Sequence, residues 1–391
     1  MSGEGVVGVR IGGPRALRAM NDRAALYALA EHGPLSRVEL EHAIGLSKPA
    51  AAELLRRLEA AKLVRQDGHK ASAGPGPNAK LWTVNENAGH AVGIDVVASG
   101  ADLAIADLAG KVIAERRVLS RGSGPDPISP LRKAVADAAK SEGLALGDID
   151  RAVIGISGSI DPVTGFLGYA EHMPRWQGFN VPARLSDSLG IPVTVENDVN
   201  LVATDELLHG RAKGYTDVLL LWMGSGVAAA VILDGQLHRG WRGAAGEIDF
   251  APVEFDGRRV TELIDSRGVL ELAAQHGVRA SRPATAVRRA VSAVTGEIDR
   301  VGDPEGLLAE LASRIAQAVV IPVSLLDPQL VLLGGEIGVA GGDRLADRVA
   351  DRLHRLIAHR PEVRPATGRD HAVRHGAVEA AVRQLQEAVF G

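Results

Sequence analysis

The residues best suited to bind a small polar molecule are Glu196, Asn197 and Asp198, which follow an apolar segment at 193–195. A carboxylate beside a carboxamide at the end of a strand offers both acceptors and donors, as the hydroxyl groups of a polyol require. The same residues also suit the start of a helix, where an aspartate side chain can cap backbone N–H groups. Both roles remain open at this point.

Glycine-containing turns are the second feature that could do chemistry, because a backbone without side chains can approach a phosphate closely. Such turns occur at 224–226 and at Gly334-Gly335, each after an apolar run. The segment Asp95-Val96-Val97-Ala98-Ser99-Gly100 also follows a strand, but it has no paired glycines. Glycines in turns are just as often structural, so these turns alone do not establish a nucleotide site.

The composition excludes several kinds of site. None of the 391 residues is cysteine, so a disulfide or a thiolate zinc site is impossible. Aromatic residues make up 3%, which leaves little for stacking on single-stranded nucleic acid. We find neither a signal-peptide pattern at the N-terminus nor an uncharged apolar run of about 18 residues. We therefore expect a cytoplasmic protein without a membrane segment.

The polar residues and turns lie on a repeating order of strands and helices. Short alternating segments predict strands, and longer periodic segments predict helices. In chain order these are strands at 91–97, 102–107 and 112–119, a helix at 130–141, strands at 151–157 and 193–195, a helix ending near Gly210, and strands at 217–223, 227–233 and 331–333. Strand meanders interleaved with helices, occurring twice, predict an α/β fold of two lobes with a cleft between them.

The first 85 residues show a different pattern, that of a helix-turn-helix. A helix predicted at 15–32 ends at Gly33-Pro34, and Ser36 with Glu39 forms a capping box for a second, short helix. Ser47 is placed as the N-cap of a third helix, which would enter the major groove of DNA. The apolar residues of the first helix, including Leu17, Met20, Ala24 and Leu26, are expected to form one buried face.

A predicted wing follows the third helix. The third helix carries a core-facing stripe of Ala51, Leu54, Leu55 and Leu58. Strands at 63–65 and 80–84 then flank a loop at 67–79 that is rich in Gly, Pro and Ser. Residues 1–88 hold 12 Lys and Arg against 9 Asp and Glu, whereas the rest of the chain is net acidic. A three-helix bundle for protein contacts is the alternative, but helix lengths, caps and wing together favour DNA.

Residues 14–86 resemble the winged-helix domain of repressors of the ROK family (repressors, open reading frames and kinases). The likeness is carried by 24–29, 33–37 and 45–49, and residues 1–13 are expected to be disordered. It implies DNA contacts by Ser36, Arg37, Ser47, Lys48, Pro49, Arg56 and Lys80. The sequence departs from the family at 50–52, where alanines can touch thymine methyl groups but cannot hydrogen-bond bases, and at 74–77, where the wing has no arginine.

Residues 87–391 resemble the sugar-kinase-like domain of the same family, which has an actin-like, ribonuclease-H-like fold. The best-matching segments are 193–200, 221–232, 235–248 and 328–335. The resemblance implies that Asp198 occupies the position of the catalytic base and that Asn197 binds a sugar hydroxyl. It further implies sugar contacts by His172, Glu247 and Glu271.

The same resemblance implies a structural zinc ion and an ATP site, and the sequence departs from both. The zinc-ligand positions hold Phe250, Glu262, Ile264 and Val269, of which at most one could bind the metal. We expect Phe250, Ile264 and Val269 to pack together and to hold this loop by burial instead. The replaced zinc ligands predict that there is no metal site. Because the segment 95–100 lacks the paired glycines of a phosphate loop, we expect no efficient ATP use and no catalytic residue. Asp198 would then be a vestigial base.

The resemblance as a whole implies a transcriptional repressor of carbohydrate-related genes. It would bind double-stranded operator DNA as a homodimer or homotetramer, and a sugar or sugar derivative in the cleft would change the spacing of its DNA-reading domains. One alternative is a working sugar kinase with a DNA-binding appendage, which the intact Asp198 supports. Another is a ligand-independent DNA-binding protein whose second domain serves only to form oligomers.

Overall fold

A computed structural model describes residues 14–70, 78–119, 126–170, 173–252, 257–299 and 301–391 of the chain. The disorder predicted for residues 1–13, the wing turn at 74–77 and the sugar contact predicted for His172 lie outside the described residues.

The N-terminal part folds as a winged helix-turn-helix, as predicted. Its elements are α1 (Pro14–His32), β1 (Leu35–Ser36), α2 (Arg37–Ile44), α3 (Lys48–Ala60), β2 (Val64–Lys70) and β3 (Ala79–Val84). The three strands form an antiparallel sheet in the order β1-β3-β2. Strand β2 runs to Lys70, beyond the predicted end at residue 65, because His69 and Lys70 still pair with β3.

The helix ends follow the capping chemistry read from the sequence. The Ser36 hydroxyl accepts a hydrogen bond from the Glu39 backbone N–H (3.3 Å), and the Glu39 carboxylate accepts one from the Ser36 backbone N–H (2.8 Å), which confirms the capping box. Gly45 ends α2 in the left-handed conformation, with φ +67°. Ser47 is the N-cap residue of α3, as predicted, but its side chain makes no capping hydrogen bond.

Helix α1 buries only part of the apolar face predicted for it, which included residues 26–29. Ala25, Leu26 and Leu29 are buried in the core, whereas Leu17 and Met20 are 54% and 62% exposed. The prediction of one buried face that includes Leu17 and Met20 is therefore wrong. The physical reason is that the apolar cluster formed with α2, α3, β3 and α12 includes side chains from the second half of α1 but not Leu17 or Met20.

The remainder of the chain forms two lobes. The first contains β4 (His90–Val97), β5 (Gly100–Asp107), β6 (Val112–Leu119), α4 (Ile128–Ser141), β7 (Arg151–Ile156), β8 (Ser159–Ile160), β9 (Leu167–Gly168), α5 (Val181–Leu189) and β10 (Val193–Asn197). The second contains α6 (Asp198–His209), β11 (Val218–Met223), β12 (Val227–Leu233), β13 (Gln236–His238), α7 (Val260–Ile264), α8 (Ser266–Gln275), α9 (Pro283–Thr295), α10 (Pro304–Leu326), β14 (Leu330–Gly334), α11 (Gly335–Leu353) and β15 (Glu362–Pro365). The last helix, α12 (Ala372–Phe390), returns to the first lobe.

The two main sheets have the same topology. The first has the order β6-β5-β4-β7-β10 and the second the order β13-β12-β11-β14-β15. In each sheet an antiparallel meander is extended on one side by two parallel strands. This duplication confirms the predicted two-lobed α/β fold.

Helix α10 belongs to the core of the second lobe. Within the described residues it is the one helix long and apolar enough to span a membrane, and half of its most apolar window is buried inside the fold. Its residues Leu311, Ile315 and Val319 are fully or almost fully buried among the side chains of the second-lobe core. This burial is typical of a core helix.

Helix α12 joins the winged helix to the first lobe. It packs on β4, β7 and α6, and the Phe390 ring near its end meets the Tyr27 ring of α1 edge-on, with ring centroids 5.2 Å apart. A side chain at Gly376 would place its Cβ 2.0 Å from the Leu201 carbonyl oxygen of α6, so only glycine permits this close approach. One continuous apolar cluster therefore contains residues of both α1 and α12.

Candidate ligand site and candidate DNA interface

Three parallel strands of the first lobe bring the predicted polar residues to one edge of the sheet. Val96 of β4 lies beside Ile156 of β7, which in turn lies beside Asn197 of β10. Asp95 and Asp198 are the sequence neighbours of the two outer residues of this row. The carboxyl ends of parallel strands in α/β folds are the usual place for a ligand.

Asn197 takes the helix-capping role that the sequence left open for Asp198. Its side-chain oxygen accepts hydrogen bonds from the backbone N–H groups of Val199 (2.8 Å) and Asn200 (3.2 Å), and its amide nitrogen donates to the Gly158 carbonyl (3.0 Å). Asp198 follows as the first residue of α6, and its carboxylate accepts a hydrogen bond from the Ser157 hydroxyl. Both side chains are half-buried and held in fixed positions.

Carboxyl groups from both lobes converge on this edge. Burial, and then the charges of Asp198 and Asp102, raise the pKa of Asp95 to about 7. Burial, and then the charges of Asp249 and Asp198, raise the pKa of Glu247 to about 7. The charge of Asp198 therefore acts on both Asp95 and Glu247, and the shared sugar site predicted for Asp198 and Glu247 remains a prediction.

The contribution of Asp95 and Glu247 to the free energy of unfolding should fall as the pH rises from about 4 to about 7. Over this range the unfolded chain releases the protons of Asp95 and Glu247, whose ordinary pKa values are near 4, while the folded protein retains them. Asp95→Asn removes one of these groups, so the variant should gain thermal stability over the wild type at pH 8 and little at pH 4. Melting curves at both pH values test this. Equal gains at both would contradict it, and Asp187→Asn, at an exposed carboxyl on α5, is the control.

Two ion pairs link the lobes beside the site. Arg239 of the second lobe contacts Glu196 of β10, with Nε and Oε2 2.6 Å apart, and Arg242 contacts Asp161, with Nη1 and Oδ2 2.7 Å apart. The Glu196 side chain is only 9% exposed. The sequence identified Glu196 as a candidate polar residue, but it did not predict the pairing with Arg239, because Glu196 and Arg239 lie 43 positions apart. The exposed Trp241 lies between the two arginines in the sequence.

Glu271 occupies a different environment from the other predicted sugar contacts. It is exposed on α8, where its carboxylate accepts a hydrogen bond from Arg267 Nε (2.8 Å) one helical turn earlier. Among the contacts of the described residues, none joins Glu271 to Asn197, Asp198 or Glu247. Its predicted role in sugar binding remains a prediction.

The zinc-ligand positions do not form a metal site. Ile264 and Val269 are fully buried in the core of the second lobe, and the Glu262 carboxylate accepts a hydrogen bond from the Arg259 backbone N–H. Phe250 does not join them: it is 43% exposed, with its ring centroid 6.4 Å from that of Tyr169. The predicted packing of all three apolar residues is therefore wrong, and these donors do not fit zinc. The described residues contain no group of three or more His, Asp or Glu that could hold a metal ion.

The first phosphate-loop position is a tight hairpin. Val97 pairs with Gly100, so Ala98 and Ser99 alone form the turn between β4 and β5. A Cβ at Gly100 would lie 2.0 Å from the Val118 carbonyl oxygen, so this glycine serves the pairing with β6. The apolar side chains at this turn do not fit a phosphate cradle.

Four of the seven predicted DNA contacts share one groove of the winged helix. The groove lies between α2, α3 and β3 and is lined by Ser36, Arg37, Arg56 and Lys80. The other three, Ser47, Lys48 and Pro49, are exposed at the start of α3. The Ser36 side chain is buried in its capping bond, Arg37 is paired with Glu41 (3.0 Å), and Arg56 is paired with Glu53 (2.7 Å).

The chain is similar in sequence to proteins named as transcription regulators. A putative xylose repressor of Caldicellulosiruptor sp. (strain Rt8B.4) is 22% identical over 370 residues, which cover 90% of each chain. The DNA-binding transcriptional dual regulator NagC of Escherichia coli (strain K12) is 22% identical over 341 residues, which cover 84% of this chain and 83% of that one.

Solved structures share the fold. A ROK family transcriptional regulator that is a homolog of the E. coli MLC protein superposes with a TM-score of 0.70 at 17% identity, covering 96% of this chain and 99% of that one. The ROK hexokinase of Thermus thermophilus superposes with a TM-score of 0.62 at 22% identity, covering 76% of this chain and 99% of that one. Residues 91–384 match the ROK family, and the chain therefore belongs to that family.

Proposed function

We propose that the protein is a transcriptional repressor of carbohydrate-related genes that a sugar or sugar derivative controls. The observation that carries the proposal is the presence, in one chain, of a winged helix with an exposed reading helix and a cleft edge with converging carboxyl groups. The relatives named as a xylose repressor and a transcriptional dual regulator align over most of this chain, which supports the same function.

The exposed residues of α3 suit the major groove. Lys48 lies at the start of the helix, while Ala50 and Ala52 present small apolar side chains that can touch thymine methyl groups. Arg56 and Lys80 lie beside the same groove and can approach phosphates on either side of the helix. Glu53, the partner of Arg56, is on the surface, so a phosphate can replace it at small cost, whereas Glu41, the partner of Arg37, is only 15% exposed.

Lys80→Ala should weaken binding to all DNA sequences by a similar factor. Lys80 is exposed on β3 and its role would be to neutralise one phosphate, so its loss should reduce the slope of log K against log salt by about 0.9. Fluorescence anisotropy at several salt concentrations measures the slope. Lys133→Ala, at an exposed lysine of α4 in the first lobe, is the matched control. An unchanged slope in Lys80→Ala would remove this residue from the interface.

The cleft edge suits the hydroxyl groups of a sugar. Asp198 supplies acceptor atoms, the Asn197 amide is fixed beside it, and a carboxyl with a pKa near 7, such as that of Glu247, can also donate a hydrogen bond when protonated. A ligand that contacts Asn197 of the first lobe and Glu247 of the second touches both lobes. It would therefore favour one relative position of the lobes over another, which is how an effector shifts an equilibrium.

We further propose that the protein does not act as a kinase and uses neither ATP nor zinc. The hairpin at 97–100 offers no phosphate cradle, and the zinc positions hold unsuitable side chains. We propose that it works in the cytoplasm as a homodimer or homotetramer, because a symmetric operator requires two reading helices. ATP consumption in the presence of any hexose would instead favour a working sugar kinase, whose fold the chain shares.

The proposal is tested by incubating the purified protein with fragmented genomic DNA and sequencing the recovered pieces, with and without a panel of sugars. We expect a few sites beside sugar transport or catabolic genes, and release of those sites by one sugar of the panel. Salt-sensitive binding without any enriched site would contradict a specific regulator. Enriched sites that no sugar releases would favour a ligand-independent DNA-binding protein.

A further inference from the structure

An apolar cavity of about 260 Å³ lies in the first lobe beside the hairpin of β4 and β5. Its wall includes Val97, Ala98, Val118, Leu131, Met173 and Trp176. Among the lining residues in the described part of the chain, Arg175 alone carries a charge.

The cavity and the candidate ligand site lie at the same end of the first-lobe sheet. Val96 lines the cavity and is separated from Asn197 by a single strand residue, Ile156. With strands about 4.8 Å apart, the distance between the Val96 and Asn197 backbones is roughly 10 Å. The preceding residue, Asp95, lines a polar pocket that shares Val97 with the apolar cavity. The tip of the hairpin thus separates a polar surface from an apolar one.

The chemistry of the cavity favours a compact, uncharged ligand group. An engineered apolar cavity of about 150 Å³ stays dry and binds benzene, so this one has room for an aromatic ring with a small substituent. Val97, on its wall, is 45% exposed, which leaves the cavity accessible from the surface. The side chains that form this wall at 96–98 are those that occupy the position of the first phosphate loop.

We infer that the effector is a sugar derivative that carries a compact apolar substituent, such as an aromatic ring. The sugar binds at Asn197 and Asp198, and the substituent enters the cavity beside Ala98 and Trp176. This inference rests on the proposed sugar site, and it names the class of effector that the site takes.

The test compares phenyl and methyl glycosides of the same sugar, using β-D-glucopyranosides and β-D-xylopyranosides. Binding is followed by the fluorescence of Trp176, with Trp176→Phe to subtract the other three tryptophans. We expect the phenyl glycoside of the bound sugar to bind at least about tenfold more tightly than the methyl glycoside, because it buries a ring. Ala98→Phe, which fills the mouth of the cavity from an exposed turn, should remove this difference. Ala109→Phe, in the exposed turn at the other end of β5, is the matched control.

The outcomes separate the cavity from the sugar site. Equal binding of the two glycosides overturns the cavity as a ligand site and leaves the sugar site in place. If Ala98→Phe abolishes binding of the phenyl glycoside but Asp198→Asn does not, the cavity is supported and the assignment of the sugar to Asp198 is overturned. If no glycoside binds, toluene serves as the probe. Toluene that quenches the fluorescence of Trp176 in the wild type but not in Ala98→Phe supports the cavity alone. If toluene does not quench this fluorescence, the cavity is overturned as a ligand site.

Discussion

Asp198→Asn should remove most of the stabilisation that the effector sugar gives, while DNA binding in the absence of sugar stays unchanged. The substitution keeps the size of the side chain but replaces a charged acceptor by a neutral amide, and hydrogen bonds to charged groups are the stronger ones. At a sugar concentration of 100 times the Kd, the wild type gains about 2.7 kcal/mol; a variant that binds 100-fold more weakly gains about 0.4 kcal/mol.

The same variant should be more stable than the wild type without sugar. Asp198 raises the pKa of both Asp95 and Glu247, so removing its charge relieves repulsion in the empty cleft. Thermal shift with and without sugar measures both effects, and Asp187→Asn is the control for a lost surface charge. If Asp198→Asn keeps the full sugar-induced shift, Asp198 is not a ligand of the sugar.

Phe390→Ala is expected to lower the free energy of unfolding by about 3 kcal/mol and to loosen the winged helix from the first lobe. The Phe390 ring is 6% exposed and meets the Tyr27 ring of α1, so its loss leaves a void between the first and last helices. Urea denaturation measures the stability. Limited proteolysis should show faster cleavage near residues 85–89, where the chain passes from β3 to β4.

The control for Phe390→Ala is Leu325→Ala on α10, because Leu325 is 79% exposed and its truncation should change the stability by less than about 0.5 kcal/mol. Faster proteolysis with an unchanged sugar response would mean that α12 holds the domains together without transmitting the effect of the ligand. Unchanged stability and proteolysis would show that the contact between Tyr27 and Phe390 contributes nothing.

Local chemistry allowed the sequence to predict the elements well. The capping box of Ser36 and Glu39 and the stripe on α3 depend on residues a few positions apart, and both are confirmed. The duplicated order of strands and helices likewise follows from periodicity along the chain. Where the deciding partner is distant, the sequence was less informative. The apolar residues of α1 identify a helix that packs, but they do not show that one of its packing partners is α12, more than 300 residues later.

The candidate site shows the same contrast between features that nearby residues determine and features that distant residues determine. Asn197 and Asp198 were identified from their types and position, but their roles at the helix start depend on Ser157 and Gly158, which belong to another strand end. The pairing of Arg239 with Glu196 and the environment of Phe250 depend on how two lobes meet, which no local pattern encodes. The apolar cavity was not predicted either, because its wall combines residues of β4, β6, α4 and the segment at 173–176.

The contact between α1 and α12 also affects how the protein folds while it is being synthesised. The winged helix leaves the ribosome first, but the helix that covers part of α1 follows roughly 290 residues later. At about 5–20 residues per second, this interval lasts from about 15 seconds to one minute. During translation, the part of α1 that α12 later covers is therefore exposed on the nascent DNA-binding domain. A chaperone could bind this apolar surface, and aggregation could begin from it.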